Sequence, residues 1–380
     1  MKILTLNFLI YTIGGIWSPI EWSSNGAKLL YNIFTFVILF MLYFLMLTQF
    51  TDIIFVVDNV DDFVSNSLMF VSIVAVCCKA TIIVTRRSAV INLLQMLLEK
   101  PCKPENENEM GIQTKFDEFI RSWTIKYLLL ALGSLTSVTI GSVLNAMQGH
   151  LPCRVWLPFD TNTPLIFWIT SIQQIVTVLF ATIINIGTET LVFGLFLQTC
   201  AQLEIFEHRL HNLIANKTVG YIEYLTISSS KKEIEISEYV RHHLEIYKYA
   251  KMVNVIFNPV LFFQFFGSIL VLCTSIYYIS IHIKEAASFL VYTICMFVQI
   301  YLYCWSGNEV MLKSKSIGDA IYCTDWPSLS VSEKKDLLII MKRSTMPITF
   351  TSSFLITLTL QSYTTILKTS YSAFNVLQQS

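Results

Sequence analysis

A stripe of polar side chains recurs at steps of three or four residues through the C-terminal stretch from Ile348 to Gln378. In a helix this spacing puts them on one face. The stripe consists of Thr357, Gln361, Thr364, Thr365, Lys368, Ser372 and Asn375. Because unpaired polar groups are costly in hydrocarbon, this face is expected to meet protein or water. Two interpretations follow: hydrogen bonding to other helices of the same chain, or a water-filled ion path lined by this helix from several subunits.

A second set of polar residues lies inside otherwise apolar segments. Lys79 and Glu189 occupy similar depths toward the cytoplasmic ends of their predicted membrane spans. Since a charge within a membrane requires a partner, the sequence predicts that the two side chains pair or share a polar network. The alternative is that Lys79 extends independently to the membrane interface.

A third set of residues could bind a small apolar ligand. The predicted outer halves of four spans combine apolar, sulfur and hydroxyl side chains, and apolar walls with a few polar groups suit such a molecule. The candidate ligand-binding residues are Leu68, Val71, Ser72, Thr139, Ser142, Val143, Phe167, Ser171, Tyr292 and Met296. The competing interpretation is ordinary packing between membrane helices, where small and hydroxyl residues are common at contacts.

No arrangement of residues predicts an enzyme. The six histidines lack the HExxH spacing of a zinc protease, and no Walker loop, GxGxxG or GxSxG motif is present. His208 and His211 lie three apart among acidic neighbours, which is more typical of a solvated helix face than of a metal site. The nine cysteines contain no CxxC pair, so no metal site, cofactor or disulfide framework is expected.

Composition predicts the elements that carry these residues. Of the 380 residues, 54% are hydrophobic and 14% are charged, the mean hydropathy is +0.59 and the net charge is zero. These values predict an all-α membrane protein, and no nucleic-acid partner is expected. Seven apolar stretches are long enough to cross a bilayer. They are residues 29–50, 63–84, 123–146, 164–197, 253–283, 286–306 and 348–378.

The connections between these spans alternate in basic charge. The N-terminal segment and the second, fourth and sixth connections hold 22 of the 26 Lys and Arg residues, counting Lys126 at the edge of the third span. By the positive-inside rule these parts are cytoplasmic, so seven crossings leave the C-terminus extracellular. This orientation is opposite to that of a G-protein-coupled receptor.

The chain divides into six predicted parts: an uncleaved amphipathic segment at the membrane face, 1–28; helices one to four, 29–197; cytoplasmic anchor extensions of helices four and five, 198–252; helices five and six, 253–306; a cytoplasmic anchor segment, 307–347; and the seventh helix, 348–380. Within the second anchor segment, Ser330 and Glu333 have capping-box spacing and predict the start of a helix that ends before Pro347.

Three stretches resemble one family, the insect odorant receptors, which are seven-span odorant-gated cation channels. The first is INIGTETLVFGLFLQTCAQLEIFEHRL, from Ile184 to Leu210, and the second is YLYCWSGNEVMLKSKSIGDAIYCTDW, from Tyr301 to Trp326. The third combines LIIMKRSTMPITFTSSF, which starts at Leu338, with TILKTSYSAFNVLQ, which ends at Gln378. The resemblance implies a tetramer that is held by the cytoplasmic anchor and has a central pore lined by the last helix.

The resemblance also implies partners and a pore constriction. A small hydrophobic odorant is the expected ligand, a common co-receptor subunit is the expected partner, and the dendritic membrane of olfactory neurons is the expected location. The chain resembles the ligand-tuning subunit, because its fourth connection is short. The match at Ser370-Tyr371 implies outer pore residues at Tyr371, Phe374, Leu377 and Gln378. A ring of Phe374 side chains would gate by dewetting, and Lys368 is expected between subunits.

Other receptor classes give distinct expectations. Gustatory receptors end in Thr-Tyr, five apolar residues and Gln-Phe, whereas here Leu377 stands six residues after Tyr371 and no Phe follows Gln378. That departure favours the odorant branch. A G-protein-coupled receptor of conventional topology would place the glycosylation motif at Asn216 in the lumen, whereas the orientation above keeps it cytoplasmic. A transporter would show internal repeats, and the sequence has none that we detect.

Overall fold

Helices make up almost the entire structure, which is a computed structural model. It describes residues 3–19, 24–57, 60–160, 163–223, 236–281, 286–353 and 356–379. The helices are α1 (Thr5–Ile13), α2 (Asn25–Phe55), α3 (Val60–Thr85), α4 (Arg87–Leu98), α5 (Glu107–Met147), α6 (Pro164–Glu223), α7 (Ile236–Ile281), α8 (Ala286–Tyr322), α9 (Val331–Ser344) and α10 (Leu360–Gln379). Two antiparallel strands, β1 (Thr351–Ser352) and β2 (Ile356–Thr357), precede α10. The predicted all-α membrane class is confirmed.

Six helices of the described chain are long and apolar enough to cross a membrane: α2, α3, α5, α6, α7 and α8. They correspond to the first six predicted spans. Helix α10 has 20 residues, which is about 30 Å at 1.5 Å per residue and matches the hydrocarbon thickness of a bilayer. It therefore has the length of a seventh span, and its polar residues set it apart from the other six.

Helix α6 is the central element of the bundle. It has 60 residues and packs against α1, α2, α3, α5, α7 and α8. Gly187 lets α1 lie directly on it, because a Cβ there would stand 3.1 Å from the Tyr11 ring. Tyr11 Oη donates to Thr188 Oγ1 at 2.9 Å. The N-terminal segment thus packs one side into the bundle, while Leu9 and Ile13 stay exposed on the other.

Four helices continue beyond the predicted spans into the anchor. Helices α6 and α7 extend into 198–252, of which residues 224–235 lie outside the described chain. Helix α5 also begins early, at Glu107, and α8 continues to Tyr322. Hydropathy does not predict these two extensions, because charged residues lower it there although the helix is unbroken.

The cytoplasmic helix α9 begins as the sequence predicts. Ser330 Oγ accepts the Glu333 N–H at 3.4 Å, and Glu333 Oε2 accepts the Ser330 N–H at 2.9 Å. These two bonds satisfy amide groups that the first turn of a helix leaves open. The helix ends at Ser344, before Pro347. The predicted capping box is confirmed.

The prediction of one helix over 348–378 is wrong in its first part. Residues 348–353 and 356–359 are not helical; they include β1 and β2, and α10 begins at Leu360. The sequence here is rich in β-branched and hydroxyl residues, which favour extended backbone and bond to it locally. Asn254 and Asn258 of α7 bind this backbone in place of helical hydrogen bonds.

Candidate functional site

The polar stripe of α10 faces away from its own subunit. Ile366 and Ser370 are buried on the opposite side of the helix, which packs against α7 and α8. The exposed face carries Gln361, Thr364, Thr365, Lys368 and Ser372. Its hydroxyls bond to carbonyl groups of α10 itself, with distances of 2.8 to 3.0 Å for Thr364, Thr365 and Ser372. Among the described residues, these three hydroxyls therefore bond to their own helix and not to another helix of the same chain.

The predicted pore residues lie at the C-terminal end of the same helix. Tyr371 is 59% exposed, and the centroid of its ring is 6.2 Å from that of the half-buried Phe374. The side chains of Leu377 and Gln378 lie outside the described residues. The position of these four residues relative to a pore axis stays a prediction, because the structure holds one subunit.

Lys79 and Glu189 form the salt bridge that their matched depths predict. Lys79 is 0% exposed, and its Nζ contacts Glu189 Oε1 and Gln264 Oε1, and Asn185 Oδ1 at 2.6 Å. Glu189 Oε1 also accepts from Gln299 Nε2. Both charges are therefore surrounded by hydrogen-bonding groups, as a buried ion pair requires. The network joins α3, α6, α7 and α8 at one level of the bundle.

The predicted ligand residues of α3 and α8 meet directly. Ser72 Oγ and Tyr292 Oη lie 2.7 Å apart. Leu68 is buried one turn before Ser72, Val71 is half-buried, and Met296 packs on the core one turn after Tyr292. The Ser72–Tyr292 hydroxyl pair joins the two helices, whereas Val71 lies against Gly267 of α7. A hydroxyl pair within apolar surroundings is the kind of polar element that orients a small ligand.

The predicted ligand residues of α5 and α6 divide differently. Thr139 and Ser142 line a small cavity of about 10 Å³ beside Cys153 and Gln174, which is room for one water-sized molecule. Ser171 is buried, and its Oγ has no hydrogen-bond partner among the described residues. Two others lie nearer the surface: Phe167 is half-buried, and Val143 is 41% exposed. Val143 therefore stands apart from the interior residues.

Residues of the third connection close over the end of the bundle, a contact that the sequence does not predict. Asp52 is buried, accepts from Asn66 Nδ2 at 2.7 Å and lies 3.3 Å from Arg154 Nε. The Trp156 N–H donates to Thr48 O at 3.2 Å. The signal was Arg154, the single basic residue of the third connection, opposite an acidic first connection.

The anchor contains a cavity of about 610 Å³ between α5, α6 and α8. Its lining includes the histidines considered above. His208 Nε2 lies 2.9 Å from Asn212 Nδ2, and Lys313 bonds to Glu204. Among the described residues no three His, Cys, Asp or Glu side chains are grouped to hold a metal ion. His208, Glu204 and Lys313 of the cavity wall thus have partners within the protein.

Two anchor histidines are buried between α6, α7 and α9. The ring of His243 stacks on Phe206 at 5.0 Å, and the ring of His242 meets the same phenylalanine edge-on at 5.5 Å. Burial lowers the pKa of His242 to about 3 and that of His243 to about 4, helped by Arg209 and Arg343 respectively. Both rings are therefore neutral at physiological pH.

Comparison with known proteins identifies the fold and the family. The profile of the family described as 7tm Odorant receptor matches residues 59–371. The chain belongs to the 7tm odorant receptor family. Odorant receptor 46a, isoform A, of Drosophila melanogaster is 27% identical over 76% of this chain and 74% of its own length. Odorant receptor 13a of the same species is 24% identical over 64% of this chain and 61% of its own.

A solved structure of an insect olfactory receptor has the same fold. OR5 from Machilis hrabei, solved in complex with eugenol, matches with a TM-score of 0.84. The match covers 99% of this odorant receptor and 97% of OR5 at 14% identity. The resemblance drawn from the three sequence stretches is thereby confirmed: this is an insect odorant receptor and a multi-pass membrane protein.

Proposed function

We propose that this odorant receptor is a ligand-tuning subunit of an odorant-gated, non-selective cation channel. The observation that carries the proposal is the exposed polar face of α10. This helix is long enough to cross the membrane, yet the side facing away from its subunit holds Gln361, Thr365 and Lys368. A lipid-facing helix does not keep such groups, because hydrocarbon offers no partners for them.

Assembly around a central axis supplies the missing partners. Several copies of α10, from this chain and from a co-receptor subunit in a tetramer, would enclose water between their polar faces. Lys368 lies between subunits, so that its charge does not oppose the passage of cations. Phe374, Tyr371, Leu377 and Gln378 form the outer constriction, where an apolar ring closes the pore by dewetting.

The ligand is a small hydrophobic odorant bound in the outer half of the bundle. The Ser72–Tyr292 hydroxyl pair supplies its polar contact, and Leu68, Val71 and Met296 supply apolar walls. The complex of OR5 with eugenol supports this class of ligand for a receptor of the same fold. Odorant binding stabilises the arrangement of helices in which the pore lined by α10 is open. It thereby shifts a pre-existing equilibrium between closed and open states.

Recording currents tests this function. The chain is expressed with an odorant receptor co-receptor and exposed to a panel of volatile odorants while G-protein signalling is blocked. Odorant-evoked cation current that persists under the block is the expected result, and its loss under the block would contradict the channel.

The orientation of the chain has its own test. A glycosidase-sensitive band shift abolished by Asn216→Gln would contradict a cytoplasmic position for this site.

The proposed location is the plasma membrane of olfactory neuron dendrites. A tagged receptor expressed in these neurons should reach the dendrite together with the co-receptor and remain in the cell body without it. Retention of normal dendritic localisation in neurons that lack the co-receptor would contradict the proposed partnership.

A further inference from the structure

Helix α7 contains a proline at the level where the membrane span begins, and an arginine located between two other helices donates hydrogen bonds to the carbonyl groups there. Pro259 has no N–H, so the Val255 carbonyl loses its partner four residues ahead. Arg86, between α3 and α4, donates from its guanidinium to Val255 O at 2.6 Å and to Ile256 O at 3.2 Å. An uncharged donor would serve less well, because hydrogen bonds from charged groups are stronger.

The same stretch of α7 holds the segment that leads into α10. Asn254 and Asn258 are four residues apart and share one helix face. Asn254 Oδ1 accepts the Thr351 N–H at 2.9 Å, and Asn258 Oδ1 accepts the Ser353 N–H at 2.9 Å. The Asn258 Nδ2 group also donates to Thr351 O at 3.3 Å. Two asparagines beside the proline therefore bind the backbone of the β1–β2 hairpin.

The hairpin is also fixed to α6 and α8. The rings of Phe196 and Phe350 stack with centroids 3.8 Å apart. Leu358 lies so close to Gly307 that a Cβ on the glycine would stand 2.8 Å from the Leu358 carbonyl oxygen. Ser353 has φ of +47°, a left-handed conformation that is costly for serine and that its bond to Asn258 helps to maintain.

We propose that Arg86, Asn254 and Asn258 are positioning residues for the pore helix. Arg86 stabilises the backbone geometry of α7 at Pro259. The two asparagines of α7 are hydrogen-bonded to the hairpin, so this geometry determines the position of the hairpin and of α10, which follows it. This inference rests on the proposed function only for its consequence in gating; the mechanical link itself is independent of it. Arg86 has no hydrogen bond to the hairpin among the described contacts, and α7 is the helix that binds both Arg86 and the hairpin.

Hydrogen exchange of the full chain, without ligand, tests the link. Arg86→Ala is expected to raise exchange of the 348–358 peptide at least about fivefold, the lower end of common coupling between sites. Pro259→Ala restores an N–H for Val255, so adding Arg86→Ala to it should change exchange less than about twofold. Arg86→Lys should retain most of the protection, because it keeps a charged donor.

The matched control is Arg87→Ala. Arg87 is the next residue, but it contacts Ser18 and the Trp17 ring instead of α7, and its loss should leave the 348–358 peptide unchanged. Unchanged hydrogen exchange of the 348–358 peptide in Arg86→Ala would overturn the proposal. An equal effect of Arg86→Ala in the wild-type and Pro259→Ala backgrounds would also overturn it. If these exchange results hold but the wild type passes no odorant-evoked current, the positioning link stands and the channel function fails.

Discussion

At the scale of single residues, the buried charges are the part of the site that the sequence predicted best. Charges inside apolar spans are rare enough that two at equal depth predict a pair, and Lys79 and Glu189 form one. The supporting amides of Asn185, Gln264 and Gln299 carried no comparable signal, because polar uncharged residues occur at many helix contacts. The two charged residues are therefore predictable from the sequence, whereas the three amide side chains around them are not.

Removing one charge of this pair should be worse than removing both. Lys79→Met leaves Glu189 buried without its counter-charge and is expected to lower the free energy of unfolding by about 3–5 kcal/mol. The double variant Lys79→Met, Glu189→Met should recover much of that loss, since neither charge remains to be desolvated. Thermal unfolding in detergent measures both, with exposed Lys335→Met as the control. A double variant as unstable as the sum of its singles would count against the pairing.

The buried anchor histidines predict a pH dependence. Because the folded pKa of His243, about 4, lies below its ordinary value of 6.5, its contribution to stability is present above pH 6.5 and is lost as pH falls toward 4. The corresponding loss of unfolding free energy is on the order of 3 kcal/mol. The unfolding temperature of the purified receptor should therefore drop over this range, and His243→Gln should flatten the drop. The exposed His211→Gln should leave it unchanged; an equal flattening by both variants would refute the assignment.

At the scale of elements, the apolar pattern predicts the six apolar spans. It does not predict the hairpin before α10, whose structure depends on polar contacts. Helix α3 is recognisable from its long apolar stretch, and α9 from the spacing of Ser330 and Glu333. The length and apolar content of the stretch before α10 predict a helix, although its β-branched and hydroxyl residues favour extended backbone. Contacts with Asn254 and Asn258, almost a hundred residues earlier in the chain, hold it extended. Such long-range contacts leave no local pattern.

The close approach of the hairpin to α8 gives a test at this scale. Gly307→Ala puts a methyl group against the Leu358 backbone, which cannot rotate away as a side chain could. We expect Gly307→Ala to lower the unfolding free energy by about 1–3 kcal/mol, which is typical of overpacking. We expect a proportionally larger reduction of the odorant-evoked current. Gly133→Ala on α5 is the control, because nothing lies within 4 Å of its Cβ position. Similar behaviour of the two variants would contradict the close contact.

At the scale of the whole molecule, the single chain presents two kinds of outer surface. The exposed sides of α2 and of the spanning part of α5 are apolar and suit lipid, with Phe36, Phe40 and Leu129 among them. The exposed side of α10 is polar. The proposed function accounts for this one polar side by further subunits that cover it. The sequence predicted the stripe, and the structure adds the direction in which it faces.

The accessibility of α10 to water tests this account most directly. Single cysteines are introduced at Gln361, Thr365 and Ser372, with Phe40→Cys on α2 as the lipid-facing control, in a background where the exposed Cys323 is replaced by Ser. A membrane-impermeant thiol reagent applied during odorant-evoked current should modify the α10 positions and reduce the current, while Phe40→Cys stays unmodified. Cysteines on α10 that remain unreactive, with conductance and ion selectivity unchanged, would contradict a water-filled path along this helix.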